Sequence, residues 1–223
     1  LSKTNGHIWG AIFDWDGVVI DSSAQHSESW ERLAREIAKP LPADHFKSGF
    51  GRKNEFIIPE ILGWSRDPDE VERLSLRKES LYRDIVKERG LSPLPGAKEW
   101  LQRLAEAGIP CVVGSSTHRL NIEVSLEIIH LAEYFSGIVS SEDVTQGKPA
   151  PDVFLKAAEK IHRTPGACVV FEDAHVGIQA ARNAGMKVVA VATTNPLADL
   201  GAADLAVARL DEISLATIDA WFS

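Results

Sequence analysis

Four acidic positions stand where the chain turns out of short apolar runs. Phe13-Asp14-Trp15-Asp16-Gly17 closes the first run, and Phe171-Glu172-Asp173 closes a later one. Between them, one run ends in Val113-Gly114-Ser115-Ser116-Thr117, and another in Ser140-Ser141-Glu142-Asp143 with Lys148 soon after. Carboxylates gathered in one place repel each other and resist ionisation. A hard divalent cation relieves this, and magnesium takes oxygen ligands while sharing its shell with a substrate phosphate. Asp14, Asp173 and a backbone carbonyl near Asp16 could supply such a shell, with Glu172 beside it. The hydroxyls and amides of Ser115 and Ser116 suit phosphoryl oxygens, on the expectation that a helix begins there and presents its positive end. Lys148 would add the fixed cation that phosphoryl transfer needs.

These residues meet only if the apolar runs are parallel strands of one sheet, because their carboxyl ends then share an edge. The runs His7–Phe13, Pro110–Gly114, Gly137–Ser140, Ala167–Phe171 and Lys187–Val191, with a weaker one at Ala203–Val207, are short and β-branched. Helical patterns separate them: Ala97–Ala107, Arg119–Ile129, Pro151–Ile161 and Ala174–Ala184. That alternation predicts an α/β fold, a Rossmann-like parallel sheet with helices on both faces. One interval breaks it. From residue 21 to residue 90 the patterns are helical, at Ser23–Ala38, Glu55–Leu62 and Pro68–Arg89, the last opening on Asp67-Pro68-Asp69-Glu70. The expected organisation is a catalytic core of residues 1–20 and 91–223 with an inserted helical cap of residues 21–90.

The bulk numbers exclude several classes. A chain that is 44% hydrophobic and 25% charged reads as neither a disordered nor a membrane chain. No apolar run is long enough to span a bilayer. A net charge of −8 without a basic cluster argues against nucleic acid as a partner. Cys111 and Cys168 lie in apolar strand patterns and read as buried thiols of a cytoplasmic protein. Leu1–Gly10 has no basic stretch before an apolar run, so no signal peptide is expected, although a chain that does not begin with Met leaves a removed leader open.

The four motifs together resemble the haloacid dehalogenase superfamily, in its branch with a small helical cap. They are Asp14-x-Asp16-Gly17-Val18-Val19, the hydrophobic-Ser115 pair, Lys148-Pro149, and Glu172-Asp173 with Gly177 four residues after Asp173. The resemblance implies that Asp14 is a nucleophile forming an aspartyl-phosphate and that Asp16 is the general acid/base. Ser115 and Lys148 then hold phosphate, Asp173 binds magnesium, and Glu172 either binds it or supports a ligand. Within the cap, Asp21 to His26, Trp30, Gly51-Arg52-Lys53 and Arg77-Lys78 resemble the β-phosphoglucomutase subgroup. There His26, Arg52 and Lys78 would contact substrate, with Ser116 at the phosphate. Ile20 departs from that subgroup, which carries a hydroxyl residue at this position.

Plainer readings stand beside these. Ser116 and Thr117 could cap the following helix, and Trp30, Trp64 and Trp100 read as core. His118, His130, His162 and His175 take no role. The expected function is a magnesium-dependent phosphatase acting on a small phosphorylated metabolite, a sugar phosphate or similar, as a monomer without nucleic-acid or membrane partners. The alternatives are a β-phosphoglucomutase-type hexose phosphate mutase and a non-catalytic sugar-phosphate binding protein.

Overall fold

The computed structural model describes residues 7–49 and 52–223, with Phe46 described by its backbone alone. Among these residues six strands form one parallel sheet: β1 (Gly10–Phe13), β2 (Cys111–Gly114), β3 (Ile138–Val139), β4 (Cys168–Glu172), β5 (Lys187–Val191) and β6 (Leu205–Val207). Their spatial order is β3-β2-β1-β4-β5-β6. The strands are shorter than the apolar runs that announce them. His7 and Trp9 are held from the side instead, both bonded to the Asp219 carboxylate, at 2.6 and 2.8 Å. β3 is an edge strand with only β2 as a neighbour and keeps two residues.

Between β1 and β2 the described chain is helical. It forms α1 (Ser23–Glu36), α2 (His45–Gly49), α3 (Asn54–Phe56) running on as a π-helical turn Ile57–Ile61, and α4 (Pro68–Arg89). The helix expected over Glu55–Leu62 is thus two geometries joined, and α2, five residues long, is too short to leave a readable 3.6-residue repeat. The remainder supplies α5 (Ala97–Glu106), α6 (Arg119–Ile129), α7 (Asp152–Lys160), α8 (His175–Asn183) and α9 (Leu215–Asp219). No helix among the described residues is long and apolar enough to cross a membrane.

Alternate strand residues feed two cores because successive side chains leave a strand on opposite faces. Ala11, Phe13, Val113, Val169 and Phe171 join Trp100, Leu101 and Leu104 of α5 and Ile122 and Leu126 of α6. Ile12, Val112 and Val170 join Phe154 and Ala157 of α7 and Ile178 of α8. The helical layer has its own cluster, including Trp30, Leu33, Ile58, Trp64 and Leu74. Asp67 starts α4 by accepting from the Glu70 amide at 2.9 Å, with Pro68 in the first turn. The chain leaves the sheet layer and returns to it side by side, with Ile20 bridged to Pro93.

One packing feature serves the site directly. Phe13 pairs in register with Phe171, and their rings stack with centroids 4.5 Å apart. Trp100, fully buried, meets the Phe171 ring edge-on at 6.1 Å. Burying an aromatic side chain of this size stabilises a fold by roughly 3–5 kcal/mol relative to alanine. The two phenylalanines immediately precede Asp14 and Glu172, so the packing that fixes the strand register also fixes where the carboxylates emerge. After β3 the chain crosses to the far side of β1 to place β4, so strand order reverses between β1 and β4. In open parallel sheets such a reversal opens a crevice at the carboxyl ends of the strands.

Candidate active site

At that crevice Asp14, Glu172 and Asp173 converge, each offering a carboxylate oxygen, with these atoms all within 4.8 Å of one another. The Asp14 amide donates to the Phe171 carbonyl at 2.9 Å. Asp14 Oδ1 accepts from the Trp15 amide at 2.8 Å, and Lys148 Nζ stands 2.8 Å from Oδ2. Lys148 also donates to Glu172 Oε1 at 2.5 Å. The other Glu172 oxygen accepts from the Asp173 and Ala174 amides, both at 2.7 Å. Gly17 and Gly177 make room for this cluster. A Cβ at Gly17 would overlap the Asp173 carboxylate, and one at Gly177 would overlap that of Glu172. Gly17 also has φ of 80°, in the left-handed region that favours glycine.

The electrostatics are unbalanced. Burial would lower the Lys148 ammonium, but Asp14 and Glu172 raise it above its ordinary value. Burial and the Asp14 charge push Glu172 up, against the pull of Lys148. Burial and the charges of Glu172 and Asp14 push Asp173 well up. One lysine cannot neutralise three buried carboxylates. Asp173 Oδ1 is moreover buried without a hydrogen-bond partner among the described residues. Three oxygen donors, excess negative charge and an orphaned oxygen fit a hard divalent cation such as magnesium.

Asp16 lies outside that cluster. Its carboxylate accepts from the hydroxyls of Ser22 and Thr117 and, at 3.2 Å, from His26 Nε2. Burial would raise its pKa, but His26 and the two hydroxyls outweigh this and hold it at about 2. Any role for Asp16 at the metal therefore falls to its backbone carbonyl, the group the sequence reading named. On the far side of the imidazole, Lys78 Nζ donates to His26 Nδ1 at 2.7 Å. An ammonium only donates, so Nδ1 accepts and Nε2 carries the proton shared with Asp16. Tyr82 stacks on the His26 ring at 4.1 Å and fixes its plane. Lys78 also donates to Glu79 at 3.0 Å, and Glu79 accepts from Asn54 at 2.6 Å and from Asn121 of α6.

Asp14, Asp16, His26, Arg52, Lys78, Ser115 and Ser116 line one cavity between the sheet edge and the helical layer. Lys148 lies behind Asp14, buried, and Glu172 and Asp173 lie beside it. Arg52 projects its guanidinium over the Phe56 ring at 4.5 Å. Gly51 lies outside the described residues. Lys53 turns away to the Val144 carbonyl at 3.0 Å, and Arg77 pairs with Glu36 on the surface.

Two expectations need correction. The Ser115 amide is not free for phosphate, since it donates to the Val139 carbonyl at 3.0 Å and extends the sheet. Only its hydroxyl remains to face a ligand. Ser116 and Thr117 do not cap α6 either. That helix starts at Arg119 after His118, and the Arg119 amide is bonded by Glu142. Thr117 spends its hydroxyl on Asp16 instead. The sequence reading also missed Ser22, Asn54 and Glu79, which have no local pattern. It missed Thr194, whose hydroxyl donates to Asp173, and Asn195, which donates to the Asp173 carbonyl at 2.9 Å. Those two could have been found by applying the strand-end rule to β5 as well.

Comparison with known proteins shows the family. A family model described as haloacid dehalogenase-like hydrolase matches residues 11–191. The chain is 41% identical over 209 residues to the chloroplast 5-amino-6-(5-phospho-D-ribitylamino)uracil phosphatase of Arabidopsis thaliana, covering 92% of this chain and 56% of that protein, so it spans little more than half of that relative. It is 31% identical over 185 residues to a fructose-1-phosphate phosphatase of Escherichia coli, covering 82% of this chain and 95% of that protein. Among solved structures, the β-phosphoglucomutase of Clostridium difficile superposes with a TM-score of 0.84 at 25% identity, covering 96% of this chain and 97% of that one.

Proposed function

The chain belongs to the haloacid dehalogenase-like hydrolase family, and from that premise we propose that it is a magnesium-dependent phosphatase of small phosphorylated metabolites, sugar phosphates or similar. The observation that carries this reading is the opposite setting of two carboxylates two residues apart. Asp14 faces Lys148 and the acidic cluster, Asp16 faces hydroxyls and His26, and both line one cavity. Environments that differ this much let neighbouring carboxylates take different roles.

Asp14 is the nucleophile. One of its oxygens bonds to phosphorus, the ester P–O bond breaks, and an aspartyl-phosphate remains on Asp14. Asp16 gives its proton to the departing oxygen. Water then attacks phosphorus, Asp16 takes the water's proton, and phosphate leaves Asp14 as a carboxylate again. With Ser22, Thr117 and His26 on its oxygens, Asp16 is set as the base. It must exchange one of these bonds for a proton before acting as the acid. Lys148 and the Ser115 and Ser116 hydroxyls bind and orient the transferring oxygens. Asp14, Asp173 and the Asp16 carbonyl would hold magnesium, with Glu172 as a further ligand or a support. The ion would supply charge neutralisation on the phosphoryl oxygens.

Phosphomutase activity is the second reading, favoured by His26, Arg52 and Lys78 lining the same cavity. A hydroxyl of a sugar phosphate would then take the phosphoryl group in place of water. The deciding experiment runs one panel of sugar phosphates with magnesium in two arms. One arm detects free phosphate, and the other couples glucose 6-phosphate formation from β-glucose 1-phosphate with a trace of bisphosphate. Phosphate release well above isomerisation is expected. The reverse would make the chain a mutase, and silence in both arms, indifferent to EDTA, would sink both readings.

A further inference from the structure

The cavity has a second end, in the helical layer, where His45, Trp30 and Ile57 join its lining. His45 opens α2 and is only 7% exposed. Its Nδ1 lies 2.7 Å from the Pro42 carbonyl oxygen. A carbonyl only accepts, so Nδ1 carries a proton. Nε2 is buried and has no hydrogen-bond partner among the described residues. In the neutral imidazole this nitrogen is an acceptor with its lone pair unused.

Two of the polar side chains that share this lining already have partners of their own. Asn54 donates to Ser75 and Glu79, and Lys78 donates to His26 and Glu79. Trp30 and Ile57 are apolar surfaces, suited to the C–H faces of a carbon skeleton. A buried acceptor left without a donor is destabilising, and a site that lines a ligand cavity can recover that loss when the ligand brings the donor.

We propose that His45 Nε2 accepts a hydrogen bond from a hydroxyl group on the organic part of the substrate. His45 is then a specificity-determining residue that selects phosphate esters of polyhydroxylated skeletons, sugars and alditols, over esters lacking a hydroxyl. The assignment rests on the phosphatase reading above and names its substrate class.

Two variants separate this from a structural role. His45→Asn retains a donor for the Pro42 carbonyl and loses the acceptor. His45→Gln places an acceptor near the Nε2 position. Both are compared with wild type on a panel of hexose, pentose and alditol phosphates and on phenyl phosphate, with thermal melts alongside. The expected result is a drop in kcat/KM of about tenfold or more for the best hydroxylated ester in His45→Asn. Phenyl phosphate turnover stays within about twofold, and His45→Gln recovers part of the loss. Equal effects on both ester classes, no effect on either, or a wild-type enzyme with no preference for hydroxylated esters would each overturn the proposal.

If wild type turns over no phosphate at all, the phosphatase reading fails separately. The His45 assignment is then read from the 15N resonance of Nε2 during titration with fructose 1-phosphate and ribitol 5-phosphate. A ligand-induced shift of that resonance, identified as His45 by its loss in His45→Asn, supports it, and an unchanged resonance with both probes overturns it.

Discussion

Gly177 sets its backbone so close to Glu172 that a single methyl group there would overlap the carboxylate. The glycine lies in α8, the acid ends β4, and the contact holds the carboxylate under the helix and toward Lys148. Gly177→Ala should therefore displace Glu172 without unfolding the chain. The magnesium concentration for half-maximal activity should rise about tenfold or more, as when a group supporting a metal ligand is lost. An unchanged magnesium titration would remove Glu172 from the cluster's function.

Asp14→Asn should cut turnover by on the order of 10³-fold or more while circular dichroism and the melting transition stay near wild type. The amide keeps the shape that the Trp15 amide bonds but cannot serve as the nucleophile. Activity near wild type would end the nucleophile assignment.

Lys148 is enclosed between Asp14 and Glu172 with no exposed side-chain surface. Lys148→Met leaves those carboxylates uncompensated, and removing one partner of a buried pair costs about 3–5 kcal/mol. Denaturant midpoints should fall accordingly in EDTA, and magnesium should restore part of the loss. If magnesium has no effect on the variant's stability, the carboxylates are not a cation site.

Glu79 gives a pH dependence with a definite sign. Burial would raise it, but Lys78 and its other partners hold it at about 2, below its ordinary 4.5. A depressed carboxyl stabilises the fold fully above its unfolded pKa and ceases to do so as pH falls through the folded one. The stabilisation, about 3 kcal/mol by that shift, should disappear between pH 4.5 and about 2. Glu79→Gln should lower stability at pH 6 and flatten the acid limb over that window. An acid limb identical to wild type would show that Glu79 titrates normally.

Arg52 lines the cavity from the helical layer, where a second anionic group of a substrate would reach it. Arg52→Ala should raise KM for a doubly phosphorylated sugar more than for phenyl phosphate, leaving kcat within about twofold. Equal effects on both would exclude it from substrate recognition.

The strand ends were legible because a short apolar run followed by a turn is local in sequence, and a parallel sheet must bring such ends to one edge. The helix from Pro68 was legible for the same reason, since Asp67 caps it three residues from its partner. By contrast, the Ser115 amide looked available because nothing in Gly114-Ser115-Ser116 tells that β3 will claim it. The bounds of α6 were legible, but its capping was misassigned, because Glu142, which bonds its first amide, lies 23 residues further on.

By itself the sequence determined which carboxylates, hydroxyls and lysine stand at one sheet edge, and hence the kind of chemistry to expect. Only the tertiary structure decided their partners. It turned the Asp16 carboxylate toward Ser22, Thr117 and His26, and it joined Glu79 to Asn121 across 42 residues. It also left His45 Nε2, in a residue of the cavity wall, without a partner among the described residues. Periodicity along a chain reports which face of an element is buried. Which polar atoms meet there depends on how two elements cross, and that is set by core packing of Phe13, Phe171 and Trp100 and of the helical layer around Trp30.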